Sequence, residues 1–147
     1  HIARALQLLE DHFGEIEQSS VYESAAVGFE SAPFFNMVVG LDTDESPHVL
    51  QALLHGIEDA CGRQRTVSLS ARTLDLDLLS YDDRVIDEGR LVLPRDDITR
   101  YAFVLYPLVE LAPNERHPVS GQRYADLWEN FDQDKQPLQR VDWVPGS

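Results

Sequence analysis

Asp75 and Asp77 stand two residues apart in the run Arg72-Thr73-Leu74-Asp75-Leu76-Asp77-Leu78-Leu79. The run alternates strictly from Thr73 to Leu78. As a β-strand it puts Leu74, Leu76 and Leu78 on one face and both aspartates on the other. Such i, i+2 residues lie roughly 6.5–7 Å apart at Cα with parallel side chains. Two carboxylates held that way repel unless a proton or cation sits between them, and a divalent metal is the usual answer. Magnesium seldom rests on two carboxylates alone; a phosphate-bearing ligand commonly completes its shell. Arg63, Arg65 and Arg72 precede the aspartates closely. Grouped there, they suit the clamping of phosphate oxygens and the offsetting of charge that develops during transfer. The plainer alternative is a half-exposed strand with water-facing aspartates beside a solvated arginine patch. Because aspartate is poorly suited to strands, two on one face of an apolar run weigh toward the metal.

A second group reads differently. Asn36 lies between Phe35 and Met37 in an apolar stretch and needs hydrogen-bond partners if buried. Its amide offers both a donor and an acceptor, which suits the edge of a heteroaromatic ring. Phe34 and Phe103 could sandwich such a ring, with core packing as their ordinary alternative. Glu58 falls about one helical turn before Arg63, where a weak surface ion pair is its ordinary role. The histidines His1, His12, His48, His55 and His117 show no metal-ligand spacing. No Gly-Lys-Ser/Thr phosphate loop, Gly-x-Ser-x-Gly or Cys-x-x-Cys is present.

The elements that must position these groups follow from periodicity. Residues 2–13 carry Ile2, Leu6, Leu9 and Phe13 as a helical stripe, with Gly14 as the stop. Residues 15–24 read as a strand, 25–33 as a loop containing Val27 and Gly28, and 34–43 as a second strand able to pair with the first as a wide antiparallel hairpin. Ser46 is a helix N-cap with Pro47 in the first turn. Leu50, Leu53, Leu54, Ile57 and Cys61 line one face of that helix, and Gly62 ends it. The polar stretch 63–71 leads into the aspartate strand. Asp82-Asp83 is a turn into residues 84–86, and residues 91–93 are extended up to Pro94. Residues 102–111 have helical spacing, which requires Pro107 to lie in a first turn or to make a kink. Residues 124–131 form a short amphipathic helix, and 132–147 are a polar tail in which 138–143 could add an edge strand. The order predicts an α+β fold, a ferredoxin-like antiparallel sheet with helices packed on it and its first strand absent from the sequence. The natural chain is therefore expected to begin upstream of His1.

The chain has 147 residues, enough for one domain with one core, and a net charge of −14. That charge argues against a general nucleic-acid binder, which would show a basic face. No apolar run approaches the length of a membrane span, and residues 1–4 have no signal pattern. One cysteine, Cys61, excludes an internal disulfide and fits a reducing, cytoplasmic setting. An anionic substrate must be drawn in by local arginines and metal, against the overall field.

Residues 72–79 closely resemble the signature of the 6-hydroxymethyl-7,8-dihydropterin pyrophosphokinase family of folate biosynthesis. The likeness extends to Val21-Tyr22-Glu23-Ser24 with Gly28 and Phe35-Asn36, to Ile57-Glu58 through Gly62-Arg63 and Arg65, and to residues 103–113, so that it covers nearly everything from His1 to about Phe131. It implies a single pyrophosphokinase-like domain over residues 1–147, with ATP as co-substrate and two Mg2+ ions. The pyrophosphoryl group of ATP passes to the pterin hydroxyl and AMP is released. By resemblance Asp75 and Asp77 are metal ligands, and Arg63, Arg65 and Arg72 serve catalysis. His55, Glu58, Arg63, Arg72, Leu78, Arg90 and Arg95 fall at ATP positions. Ser24, Val27, Phe34, Asn36 and Phe103 fall at pterin positions. The implied partners are these small molecules, with no nucleic acid and no membrane, and the implied assembly is a monomer or weak dimer in the cytoplasm.

Three places depart from the family pattern. Leu69-Ser70-Ala71 stands where the family has Trp-Gly-Pro, Arg95-Asp96 where a histidine follows the proline, and Tyr101 where an arginine precedes the phenylalanine, with Arg100 beside it. They motivate an alternative: a paralogue with weak or altered activity that binds a pterin or nucleotide without efficient transfer. A structural domain without ligand is the third reading.

Overall fold

The computed structural model describes residues 2–24, 34–62 and 75–142, which fall into two compact units. The first unit comprises the described parts of residues 1–16 and 41–78; the second comprises those of 17–40 and 79–144.

In the first unit, α1 (Ile2–Phe13) packs against α2 (Pro47–Gly62). Helix α1 buries Ala5, Leu6 and Leu9, and α2 buries Leu50, Leu54, Ile57 and Cys61, spacings that put each set on one helical stripe. Gly14 ends α1 in the left-handed conformation, at φ +82°, with its N–H donating to the Glu10 carbonyl at 2.9 Å. Ser46 caps α2: its hydroxyl accepts from the Val49 N–H at 3.3 Å while its carbonyl takes the first helical bond from Leu50.

The second unit holds three small antiparallel sheets. Strand β1 (Glu17–Gln18) pairs with β4 (Val39–Gly40). Strand β2 (Val21–Ser24) lies between β3 (Phe34–Asn36) and β7 (Leu138–Val141), and β5 (Ile86–Glu88) forms a hairpin with β6 (Leu91–Leu93). Helices α3 (Asp97–Arg100), α4 (Ala102–Leu111) and α5 (Tyr124–Glu129) and a 3-10 turn at Gln133–Lys135 complete it. Val38, Ile98, Leu105, Leu108 and Tyr124 form its core, with Leu79, Leu127, Trp128 and Phe131 among the side chains packed around them. No side chain of α4 caps its own start. Instead the Gln136 amide accepts from the Ala102 N–H at 2.9 Å and donates to the Arg100 carbonyl at 3.0 Å, which anchors the approach to β7.

The α+β class with antiparallel pairing holds, and the edge strand expected in the tail is β7. Three local expectations change, and one is narrowed. The strand expected at 15–24 is two strands, because the Ser19 hydroxyl accepts from the Val38 N–H at 2.8 Å and so replaces a backbone carbonyl. The strand expected at 34–43 likewise divides into β3 and β4. Of the two placements open to Pro107 the first turn is excluded, since it lies at the sixth position of α4, inside a helix that runs on to Leu111. Residues 75–80 form no strand: the Leu76 N–H that a ladder would use donates to a side chain of α2 instead.

Candidate active site

The aspartate run keeps its alternation without a sheet. Asp75 and Asp77 are exposed, whereas Leu76 and Leu78 are half-buried. An extended backbone alternates its side chains whether or not it is paired. What holds it is Glu58, whose Oε2 accepts from the Leu76 N–H at 2.8 Å. A carboxylate of α2 thus fixes the peptide between the two aspartates, through a charge-assisted bond. His55 lies one turn earlier on α2 and is exposed. The donor set of Asp75 and Asp77, hard carboxylate oxygens with no imidazole or thiolate, suits Mg2+ held jointly with phosphate oxygens and water. Among the described residues no group of three or more His, Cys, Asp or Glu side chains could hold a metal by itself. Arg63, Arg65 and Arg72 and the loop at Leu69-Ser70-Ala71 lie outside the described residues.

The second unit carries the other candidates. Ser24 is buried at the end of β2, and Asn36 on β3 stands opposite Tyr22 in the register. Ser24 and Asn36 are therefore diagonal neighbours on one sheet face. The Asn36 Nδ2 is buried and finds no acceptor among the described residues. A buried amide donor left open is costly, and an acceptor on a bound ligand would relieve it. Val27 lies outside the described residues, as does the side chain of Phe34.

Phe103, on α4, does not stand alone. The Tyr101 ring stacks on it at 4.9 Å between centroids and 16° between planes, and the Arg100 guanidinium lies 5.6 Å from the Tyr101 centroid. Tyr101 thus covers one face of Phe103. Arg90 is exposed in the turn of the β5–β6 hairpin, and Arg95 follows the other end of β6, so the hairpin keeps the two apart. The Arg95 N–H donates to the Leu79 carbonyl at 2.9 Å, and its guanidinium reaches Asp97 at 3.4 Å.

One feature of this unit was not anticipated. Glu110 is the only charged residue in the α4 sequence, and it takes three hydrogen bonds from β2 and the residue before it: from the Ser20 N–H at 3.0 Å, the Ser20 hydroxyl at 2.8 Å and the Tyr22 hydroxyl at 2.8 Å. Lost hydration raises the Glu110 carboxyl, but these bonds and the nearby Arg140 outweigh it and hold the group below the ordinary glutamate range. Burial, and then the bond to Glu110, pushes the Tyr22 phenol up to about 12. A lone acid in an otherwise apolar helix was the available signal.

Residues 1–113 match the sequence profile of the 7,8-dihydro-6-hydroxymethylpterin-pyrophosphokinase (HPPK) family. The chain belongs to this family. Proteins named 2-amino-4-hydroxy-6-hydroxymethyldihydropteridine pyrophosphokinase are among its relatives. That of Pseudomonas aeruginosa is 42% identical over 130 residues, covering 88% of this chain and 76% of that protein. That of Synechocystis sp. is 40% identical over 119 residues, 80% of this chain and 61% of that protein, so the match spans about three-fifths of the relative's length. That of Aquifex aeolicus is 37% identical over 121 residues, covering 81% of this chain and 75% of that protein. Strand β7 lies beyond the family match. No helix among the described residues is long and apolar enough to cross a membrane.

Proposed function

We propose that the chain is a single pyrophosphokinase domain that transfers the pyrophosphoryl group of ATP to the hydroxyl of 6-hydroxymethyl-7,8-dihydropterin. The substrate oxygen attacks the β-phosphorus, the bond from that phosphorus to the α-bridging oxygen breaks, and AMP departs with that oxygen. The hydroxyl proton passes to water, and the pterin diphosphate remains. The observation that carries this reading is the exposed pair Asp75 and Asp77, held about the Glu58-bound Leu76 amide within the family signature.

In the first unit Asp75 and Asp77 hold two Mg2+ ions. Mg2+ shields phosphate charge and lowers the barrier to an in-line displacement. Arg63, Arg65 and Arg72 bind phosphate oxygens, and His55, Glu58 and Leu78 contribute to the nucleotide site. In the second unit Asn36 reads the pterin ring edge, and its open Nδ2 supports that role. Ser24, Val27, Phe34 and Phe103 enclose the ring, and Arg90 and Arg95 serve the nucleotide. The protein acts in the cytoplasm as a monomer or weak dimer on these small molecules.

AMP formation from ATP, magnesium and the dihydropterin alcohol tests the activity. The unmodified chain is expected to form AMP only with all three present, and Asp75→Asn and Asp77→Asn each to lose nearly all turnover. No AMP from the full-length, unmodified protein would reject the reading.

A second reading, a paralogue that binds without efficient transfer, draws on the Arg95–Asp97 pair, which occupies a charge assigned to ATP. Titration calorimetry separates the two: pterin binding with no measurable Mg-ATP affinity favours the paralogue.

A further inference from the structure

Helix α4 meets β2 through one stripe. Phe103, Tyr106 and Glu110 are spaced at i, i+3 and i+7, and therefore share a helical face. Tyr106 meets the Tyr22 ring edge-on at 5.2 Å and 73°. One turn further on, Glu110 accepts from the Tyr22 hydroxyl and from both donors of Ser20. Tyr22 is the register partner of Asn36 on β3 and of Arg140 on β7. In an antiparallel sheet such partners project from the same face, so Tyr22, Asn36 and Arg140 form one row across three strands. Arg140 adds its positive charge in favour of the ionised Glu110. The carboxylate therefore fixes two things together: the height of α4, which carries Phe103, and the strand pair that carries Asn36 and Ser24.

We propose that Glu110 is a positioning residue for pterin recognition, a clasp that sets the Phe103 stripe of α4 against the Tyr22–Asn36 row. The proposal rests on the assignment of Asn36 and Phe103 to the pterin. It requires charge as well as shape. An ionised carboxylate is acceptor-only and takes all three donors. A glutamine can keep its one oxygen on the Ser20 N–H and the Tyr22 hydroxyl but puts an amide nitrogen at the Ser20 hydroxyl, which must reverse from donor to acceptor, and loses the charge that Arg140 favours. Tyr22→Phe removes one of the three bonds and leaves the ring in place.

The test measures binding of 6-hydroxymethyl-7,8-dihydropterin by calorimetry, with magnesium and a non-hydrolysable ATP analogue present. It uses the full chain, Glu110→Gln and Tyr22→Phe, and the analogue is titrated separately. The pterin Kd is expected to rise about tenfold in Glu110→Gln and several-fold in Tyr22→Phe, with the analogue Kd changed less than about twofold in both. A purely structural role would weaken both ligands together, and that result overturns the clasp. Pterin binding by both variants at the unmodified affinity also overturns it. If Glu110→Gln does not fold, Tyr22→Phe decides by the same criteria. An unmodified chain that binds no pterin would instead reject the pterin assignment itself.

Discussion

Glu58→Ala offers the most direct check on how the aspartate pair is held. The Leu76 N–H has no sheet partner; its bond is the 2.8 Å contact to Glu58 Oε2, which is partly shielded from water. Hydrogen bonds to a charged group contribute about 1.5–3 kcal/mol net. Water competes at a partly open position, so the lower part of that range applies. With each 1.4 kcal/mol worth about tenfold, the Leu76 amide should exchange with solvent roughly tenfold to thirtyfold faster in Glu58→Ala. Glu58→Gln keeps an oxygen acceptor without the charge and should raise the rate only a few-fold, as a neutral bond contributes about 1 kcal/mol. Amide-resolved hydrogen exchange by NMR reads this directly, and amides within α1 serve as an internal reference. Equal Leu76 exchange in the unmodified chain and Glu58→Ala would refute the idea that Glu58 fixes this segment. If the bond matters as proposed, the magnesium concentration for half-maximal AMP formation should rise in the same variant.

Other consequences follow from the second unit. Leu105 is 1% exposed in the core, so Leu105→Ala should cost about 2–5 kcal/mol and lower the melting temperature by on the order of 10 °C, read by thermal circular dichroism. The Tyr22 phenol is pushed above its ordinary value of 10.0 to about 12, so its contribution to stability is full below pH 10 and is lost as the pH rises through the folded value. Urea midpoints measured across that interval should fall more steeply for the unmodified chain than for Tyr22→Phe. His117 Nδ1 accepts from the Val119 and Ser120 N–H groups, both at 3.2 Å, and burial lowers its pKa from 6.5. Its contribution is thus present above pH 6.5 and lost as the pH falls through the lowered value, and the NMR titration of its ring protons should show a midpoint below 6.5.

The parts legible in the sequence are those whose signal is local. Helices α1 and α2 follow from apolar side chains on a 3.6-residue period and from Ser46, Gly14 and Gly62 at their ends. The alternating exposure of Asp75, Leu76, Asp77 and Leu78 was legible for the same reason, since it depends only on extended backbone. What the period could not give is where the backbone groups bond. Ser19 and Ser20 look like ordinary strand residues, yet the Ser19 hydroxyl takes the Val38 N–H and the Ser20 N–H goes to Glu110, about ninety residues away in sequence. The Leu76 N–H is likewise taken by a side chain that no alternation pattern names. The Tyr101–Phe103 stack arises because Tyr101 precedes the first helical residue in extended backbone, at φ −124° and ψ 128°, so that the two rings meet where helical spacing would part them.

Strand β7 carries a consequence for the order in which the protein can be made. Strand β2 emerges early in synthesis, but the edge that β7 covers waits for residues more than a hundred positions later. Until then β2 presents a row of open N–H and C=O groups, the kind of edge that recruits strands from other chains. The second unit is therefore a late folder during translation. A ribosome pausing shortly before residue 138 would hold it in its most association-prone form.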